Sequence, residues 1–315
     1  MKIGFIGLGN VGGKLSGSLM RNGHDVQVHD LDEGLVQGKV AQGAVAGGSP
    51  ADMMEGCDAV ITCLPSPTAS AAVMNEMLPA MGPGKIWMEM STTDAAEVTR
   101  LGALVAEAGG QAVDCPVSGG CHRADTGNIS IFAGCARETF EQILPLLTTM
   151  GRRVLHTGPL GSASVLKVIT NYLATANLVS CAEALTVAKG AGIDLGLAYE
   201  AIAISSGTSF VHETESQVIL NGSRDISFTM DLVAKDIGLS QDVADRSGVP
   251  LQLNPLLIDI FKDGMDRFGP RELSPNIIKR LEEATGLDIR APGFPAEMVD
   301  TEPEAPGAEV VPKRA

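Results

Sequence analysis

Ile3-Gly4-Phe5-Ile6-Gly7-Leu8-Gly9-Asn10-Val11-Gly12 is the stretch on which the fold of this chain turns. A β-like run over residues 2–6 stops at a cluster of glycines, and residues 11–21 resume as a helix. A second strand, 25–30, ends on a carboxylate, Asp30, 21 positions after Gly9. Gly-x-Gly-x-x-Gly by itself is a common turn. Here it leaves a strand, opens a helix and is followed by an acid at the end of the next strand, which is the context a dinucleotide-binding turn requires. Gly7 permits the tight turn, Gly9 lets the backbone approach a pyrophosphate, and Gly12 lets helix and strand pack closely. The helix start, with Leu8, Asn10 and Val11, offers amide donors and the positive end of a dipole to the phosphates. Asp30 suits the hydroxyls of the adenosine ribose and repels a 2′-phosphate. Leu31, Asp32 and Glu33 follow it without a cation, so NAD is expected and NADP is disfavoured.

Outward from this turn the pattern repeats. Strand-like runs at 58–64, 85–90, 111–114 and 129–133 alternate with helical stretches such as 93–108 and 137–150. Such alternation predicts an α/β, doubly wound Rossmann domain over residues 1–160, a parallel sheet with helices on both faces. From residue 162 to 281 no strand pattern recurs. Apolar residues return at helical spacing over 165–191, 193–206, 230–247 and 256–268, punctuated by Gly192, Gly207, Gly248 and Gly269-Pro270. An all-helical domain is therefore expected over 161–290, opened by one long helix. Residues 291–315, rich in Pro, Glu and Ala, read as an arm followed by a disordered tail.

Composition narrows the function. The 315 residues suffice for about two domains. A net charge of −15, with no basic run before the last residues, speaks against nucleic acid and anionic membrane as partners. No apolar run reaches the ~20 residues of a membrane span, and the N-terminus enters the glycine motif directly, without a separate signal peptide. Six cysteines without Cys-x-x-Cys spacing read as free thiols in a reducing cytoplasm, with no metal site.

Lys167 and Asn171 interrupt the long apolar helix. Four residues apart, they lie one turn above each other on one face, among Val165, Leu166, Val168, Ile169 and Leu173. A helix apolar all round is expected to be buried, and a buried lysine needs partners or a task. With its pKa lowered by burial, a lysine can take or give a proton near neutral pH and steady a developing alkoxide. Ser118-Gly119-Gly120 can aim backbone N–H groups and a hydroxyl at an anion.

Four segments together resemble the β-hydroxyacid dehydrogenase family: Gly7-Leu-Gly-Asn-Val-Gly12, Asp114-Cys-Pro-Val-Ser-Gly-Gly120, Gly161-Ser-Ala-Ser-Val-Leu-Lys167-Val-Ile-Thr-Asn171 and Ala234-Lys-Asp236. The resemblance runs over roughly residues 1–288. It implies Lys167 as catalytic acid/base, Asn171 as a substrate-holding partner, and Ser118, Gly119 and Gly120 as the seat of the substrate carboxylate. It also implies Leu64, Pro65 and Thr92 against the cofactor and Lys235 near its nicotinamide end. The activity it implies is NAD-dependent hydride transfer between a short β-hydroxyacid, 3-hydroxyisobutyrate-like, and its semialdehyde. A homodimer or homotetramer is implied too, with residues 291–299 packing on a neighbouring subunit.

The chain departs from the family after Gly120. Cys121-His122-Arg123 stands where small or apolar residues are usual, so Arg123 is a candidate contact for a second acidic group on the substrate. Phe210, after Ser205-Ser206-Gly207-Thr208-Ser209, is a candidate pocket wall, and His212 is expected to be structural or exposed. Three other readings follow from these residues: a reductase of another anionic semialdehyde (tartronate semialdehyde or a sulfonated aldehyde), an imine reductase, and a nucleotide-binding protein without turnover. Lys167 argues against the last two.

Overall fold

Every residue of Ile3–Ile6, Ala59–Thr62 and Ile86–Glu89 is buried, as befits strands covered by helices on both faces. The computed structural model describes residues 1–313, and its strands are β1 (Ile3–Ile6), β2 (Val26–His29), β3 (Val45–Ala46), β4 (Ala59–Thr62), β5 (Ile86–Glu89), β6 (Gln111–Asp114), β7 (Val117–Ser118), β8 (Ile129–Gly134), β9 (Gly151–Gly158) and β10 (Ala308–Glu309). They form one sheet in the order β10-β9-β8-β6-β5-β4-β1-β2-β3, with β7 on β8. The chain divides into two units, Met1–Lys167 with the segment from Asp300 onward, and Val168–Val299. The division falls inside the long helix, a few residues beyond the sequence-based boundary at 160.

In the first unit the six strands read from the sequence are present, and the order β3-β2-β1-β4-β5-β6 is parallel throughout. The wholly parallel expectation fails at the next strand. β8 runs antiparallel to β6 and β7. Only residues 119–128 separate β7 from β8, too few for a parallel crossover of a dozen or more. They hold a sharp turn, Gly119 (φ +132) and Gly120 (φ +85), and the five-residue helix α6 (Cys121–Asp125). The other helices of this unit are α1 (Gly12–Arg21), α2 (Glu33–Val40), α3 (Pro50–Gly56), α4 (Pro67–Met77), α5 (Ala95–Glu107) and α7 (Arg137–Met150), with the start of α8 (Ser162–Gly190). They cover both faces: Phe5, Leu15 and Phe140 anchor one core, and Met53, Met74 and Trp87 the other.

The expected disordered tail is also overturned for residues 300–313. β10 adds to the sheet edge in parallel, Ala308 opposite Arg153 and Glu309 opposite Val154. Gly307 lies so close to β9 that a Cβ there would meet the Gly151 carbonyl oxygen at 1.9 Å. Residues 314 and 315, part of the same expectation, lie outside the described residues.

The second unit is helical, with the remainder of α8 followed by α9 (Leu195–Ala203), α10 (Phe210–Asn221), α11 (Met230–Arg246), α12 (Leu253–Phe268) and α13 (Lys279–Thr285). Leu178, Leu185, Leu220, Ile237, Phe261 and Ile278 form its core. α10 escaped sequence reading because its apolar residues follow no clean helical stripe. Residues 291–299, expected on a neighbouring subunit, pack on their own unit: Asn221 Nδ2 donates to the Phe294 carbonyl at 2.8 Å, Ser223 Oγ donates to the Ala296 carbonyl at 2.6 Å, and the Phe294 ring meets Tyr199 edge-on. Two readings of α8 are corrected as well. By length and composition it is apolar enough to cross a membrane, although the sequence showed no unbroken apolar run. It is not buried all round either, since Leu166, Ile169 and Leu173 are exposed.

Candidate active site

The dinucleotide turn sits at the carboxyl ends of β1 and β4, where the order of the strands reverses and a doubly wound sheet opens a crevice. Close packing explains two of its glycines. A Cβ on Gly7 (φ +94) would lie 2.3 Å from the Cys63 carbonyl oxygen, and one on Gly12 would lie 2.0 Å from that of Gly7. Gly9 has open space beside it, as approach by a pyrophosphate requires. This cradle fits a dinucleotide. Asp30 is tied into it: Oδ2 accepts from the Leu8 N–H at 2.6 Å and Oδ1 from the Asp32 N–H at 2.9 Å. Each carboxylate oxygen retains a lone pair for a ribose hydroxyl.

The opposite wall comes from β4 and β5. The Leu64 N–H donates to Ser91 Oγ at 2.7 Å, and the Ser91 N–H donates to Glu89 Oε1 at 2.8 Å. Burial holds the Glu89 carboxyl above the usual range, against the pull of these serine hydrogen bonds. Ser91 thus sets Leu64 and Pro65 on one side and Thr92 on the other. Beside the turn, a groove of about 420 Å³ is lined by Gly9, Asn10, Lys14, Arg21, Lys39 and Asp125, among others. Cations therefore do stand near the turn, on α1 and α2 and not directly after Asp30. Lys14 pairs with Asp125 and Arg21 with Glu304.

Ser118, Gly119 and Gly120 end β7 and form the turn into α6. α6 folds back over that turn. Arg123 Cδ lies 3.4 Å from where a Gly119 Cβ would be, and the His122 ring lies 2.9 Å from the corresponding point on Gly120. Burial, then the Arg123 charge, lowers the His122 pKa, so the neutral imidazole is favoured. Half-buried Arg123 thus packs its stem against the candidate carboxylate seat.

Asp114, given no role in the sequence reading, ties the end of β6 to the start of the helix that carries Lys167. Fully buried at the end of β6, it accepts from the Ser164 N–H and from Ser164 Oγ, both at 2.7 Å. It therefore caps the start of α8 from a different element, satisfying orphan donors one turn before Lys167. Burial raises its carboxyl to about 6 despite these hydrogen bonds. Lys167 is only 8% exposed, although Leu166 and Ile169 beside it are 38% and 39% exposed.

In the second unit Asp236, 2% exposed, is the shared acceptor of two expected residues. Asn171 Nδ2 donates to its Oδ2 at 2.5 Å and Lys235 Nζ meets its Oδ1 at 2.6 Å. An acid beside a lysine in an apolar helix was the signal that could have found it. Phe210 begins α10 and is 42% exposed. His212 is structural: it is fully buried, bonds Ser216 Oγ and the Tyr199 carbonyl, and stacks on the Tyr199 ring. All six cysteines are free, and burial pushes Cys63 and Cys135 up to about 12, which leaves those thiols unreactive.

Comparison with known proteins agrees with this geometry. Residues 2–158 match the family model described as the NAD binding domain of 6-phosphogluconate dehydrogenase. Residues 161–279 match the one described as NAD-binding of NADP-dependent 3-hydroxyisobutyrate dehydrogenase. The chain is 33% identical over 293 residues to 2-(hydroxymethyl)glutarate dehydrogenase of Eubacterium barkeri, covering 92% of this chain and 97% of that protein. It is similar to the solved 3-hydroxyisobutyrate dehydrogenase of Mycobacterium tuberculosis with L-serine (TM-score 0.81, 25% identity, 89% of this chain and 98% of that one). The imine reductase of Streptomyces aurantiacus shares the fold alone (TM-score 0.60, 19% identity, 89% and 99% covered). A dinucleotide cradle on β1, a glycine turn after β7 and an inward lysine on α8 are thus found in a chain that belongs to the β-hydroxyacid dehydrogenase family of nicotinamide-dependent oxidoreductases.

Proposed function

We propose that this chain interconverts a short β-hydroxyacid and its semialdehyde with NAD, using Lys167 as the acid/base. A lysine turned inward while its leucine and isoleucine neighbours face solvent carries the reading. A snorkelling lysine would show the reverse arrangement. The nicotinamide, when bound, supplies the two-electron acceptor, or the donor in reverse. Ser118 Oγ and the amides of Gly119 and Gly120 hold the substrate carboxylate. The Lys167 amine takes the hydroxyl proton as the alcohol is oxidised. In reduction its ammonium returns a proton to the carbonyl oxygen and steadies the negative charge developing there. Asn171, one turn further along α8, orients the substrate. NAD is preferred because Asp30, Asp32 and Glu33 crowd the ribose end with negative charge, while two cations of the nearby groove, Lys14 and Arg21, are already paired with acids and Lys39 is bonded to Gln42. Self-association as a dimer or tetramer belongs to the same proposal, supported by the exposed apolar residues Leu173 and Val187 on α8.

The test is NAD reduction against a panel of 3-hydroxyisobutyrate, 3-hydroxypropionate, serine, glycerate, threonate and sulfonated hydroxyacids. Lys167→Ala is expected to lower kcat by about 10³-fold or more, the scale of lost acid/base catalysis, with NAD affinity within about twofold. Equal loss of both, or turnover of imines alone, would overturn the reading. One observation favours a second substrate class, a hydroxyacid or semialdehyde with a further acidic group: Arg123 lies against Gly119. Arg123→Ala should then erase the preference for diacids within the panel, and an unchanged ranking would remove this version.

A further inference from the structure

The C-terminal segment lies beyond Lys279, the last residue matched by the family models, and the proposed chemistry makes no use of it. Three of its acids are nevertheless bound to the first unit. Asp300 Oδ2 accepts from Thr126 Oγ1 at 2.5 Å and from Asn128 Nδ2 at 2.8 Å, and Asn128 Nδ2 also reaches the Glu302 carbonyl at 2.9 Å. The Glu304 carboxylate accepts from Arg21 Nε, Asn22 Nδ2 and Ser18 Oγ, each at 3.1 Å. Glu309 takes two hydrogen bonds from Arg137, at 2.6 and 3.0 Å, where β10 joins the sheet.

The Asp300 and Glu304 anchors converge on α6, while Glu309 fixes the far end of the segment at the start of α7. Thr126 follows the last residue of α6 and Asn128 immediately precedes β8. Arg21, oriented by Glu304, donates through Nη2 to the Asp125 carbonyl at 2.5 Å. α6 is five residues long and has no side-chain cap, so it does not hold itself together. Yet it starts directly after Gly120 and carries His122 and Arg123 onto the Gly119–Gly120 turn. That turn needs left-handed backbone at two successive glycines, a conformation that persists only when its surroundings hold it.

We propose that residues 300–309 form a positioning strap that fixes α6 and, through it, the Ser118-Gly119-Gly120 turn and the place of Arg123. The strap thereby sets affinity for the anionic end of the substrate, a consequence that rests on the function proposed above. The Asp300 anchors, Thr126 and Asn128, are not among the residues lining the groove beside the dinucleotide turn, so loss of this one anchor is expected to leave cofactor affinity unchanged.

Asp300→Ala and Asp300→Asn in the full-length enzyme test this. Asp300→Ala removes the acceptor of three hydrogen bonds, from Thr126, Asn128 and the Glu302 N–H, whereas asparagine keeps one acceptor oxygen. The expected result for alanine is a KM for hydroxyacid raised about tenfold, the scale of one lost charge-assisted hydrogen bond, with kcat and NAD Kd within about twofold and partial recovery in asparagine. Amide hydrogen exchange should quicken at residues 119–128 and stay unchanged at 7–12. Unchanged KM with unchanged exchange overturns the proposal. So does parallel loss of kcat, KM and NAD affinity with a lowered Tm, which would mark the segment as a stability element only. Hydrogen exchange needs no turnover. Should the wild-type protein oxidise no hydroxyacid, the function proposal fails, while faster exchange confined to 119–128 would still support the strap.

Discussion

Replacing Asp114 by asparagine should change how stability depends on pH without disturbing the start of α8. The carboxyl is fully buried, and burial lifts it to about 6 from an ordinary value of 3.8, while hydrogen bonds from Ser164 and Gly161 pull the other way. A folded-state value above the unfolded one means that folding takes up a proton between the two. The stability this group contributes is then fully present below about pH 4 and is lost as pH rises through about 6. A difference of 6 − 3.8 = 2.2 units at about 1.4 kcal/mol per unit makes the loss about 3 kcal/mol. Asparagine matches the shape and cannot ionise. Its Oδ1 accepts from the Ser164 N–H, and its amide donates to Ser164 Oγ, since a hydroxyl can reverse its role. The assay is urea unfolding in half-unit steps from pH 4 to 8, followed by the fluorescence of Trp87, the chain's one tryptophan, which is buried in the same unit as Asp114. The carboxyl of Glu215 titrates in both proteins and cancels in the difference, whereas Glu89, whose charge helps to raise Asp114, contributes to it with the same sign. That difference, variant minus wild type, should rise by about 3 kcal/mol between pH 4 and 6.5 and then level off. A flat difference curve, or one of opposite sign, would refute the assignment of a costly buried carboxylate at this position.

Glu215→Gln should behave similarly over a higher window. Glu215 Oε2 is buried without a hydrogen-bond partner, and burial raises the carboxyl to about 8 from 4.5, so stability falls as pH climbs from about 4.5 through 8. The glutamine variant should gain about 3 kcal/mol on wild type by pH 7 (2.5 units at about 1.4 each), and equal denaturation midpoints at pH 5 and 8 would contradict this. Gly12→Ala places a Cβ 2.0 Å from the Gly7 carbonyl oxygen and can be accommodated only by opening the turn. Its NAD Kd, read by titration of intrinsic fluorescence, should rise more than about tenfold with about 1–3 kcal/mol of lost stability, and unaltered binding would show that the turn does not hold the cofactor. Wild-type kcat/KM should favour NAD over NADP by about 10²-fold, the cost of a carboxylate facing a phosphate, and Asp30→Ser should narrow that gap. Equal use of both cofactors by wild type would dismiss Asp30 as the discriminator.

What could be read in advance from the sequence follows the range of the forces involved. The cradle of Gly7, Gly9 and Gly12 was legible because close backbone approach is a local steric demand that only glycine meets. The burial of Lys167 was legible by contrast, one charge in an apolar helix. The buried acids that bond to elements of the candidate site were not, because their partners are distant in sequence. Asp114 meets Ser164 50 residues away, and Asp236 meets Asn171 65 residues away. The same reasoning explains the two topological errors. The reversal at Gly119 and Gly120 depends on ten residues being too few for a crossover, a constraint visible only once β8 is known to join β7. The tail reads as disordered because composition weighs each carboxylate against water alone. Glu304 instead meets Arg21, Asn22 and Ser18 across more than 280 residues of chain, and Glu309 meets Arg137. Each tail acid met by a cation or an amide donor recovers in hydrogen bonds part of what ordering the segment costs, and several such pairs together hold a chain that has almost no apolar surface to bury.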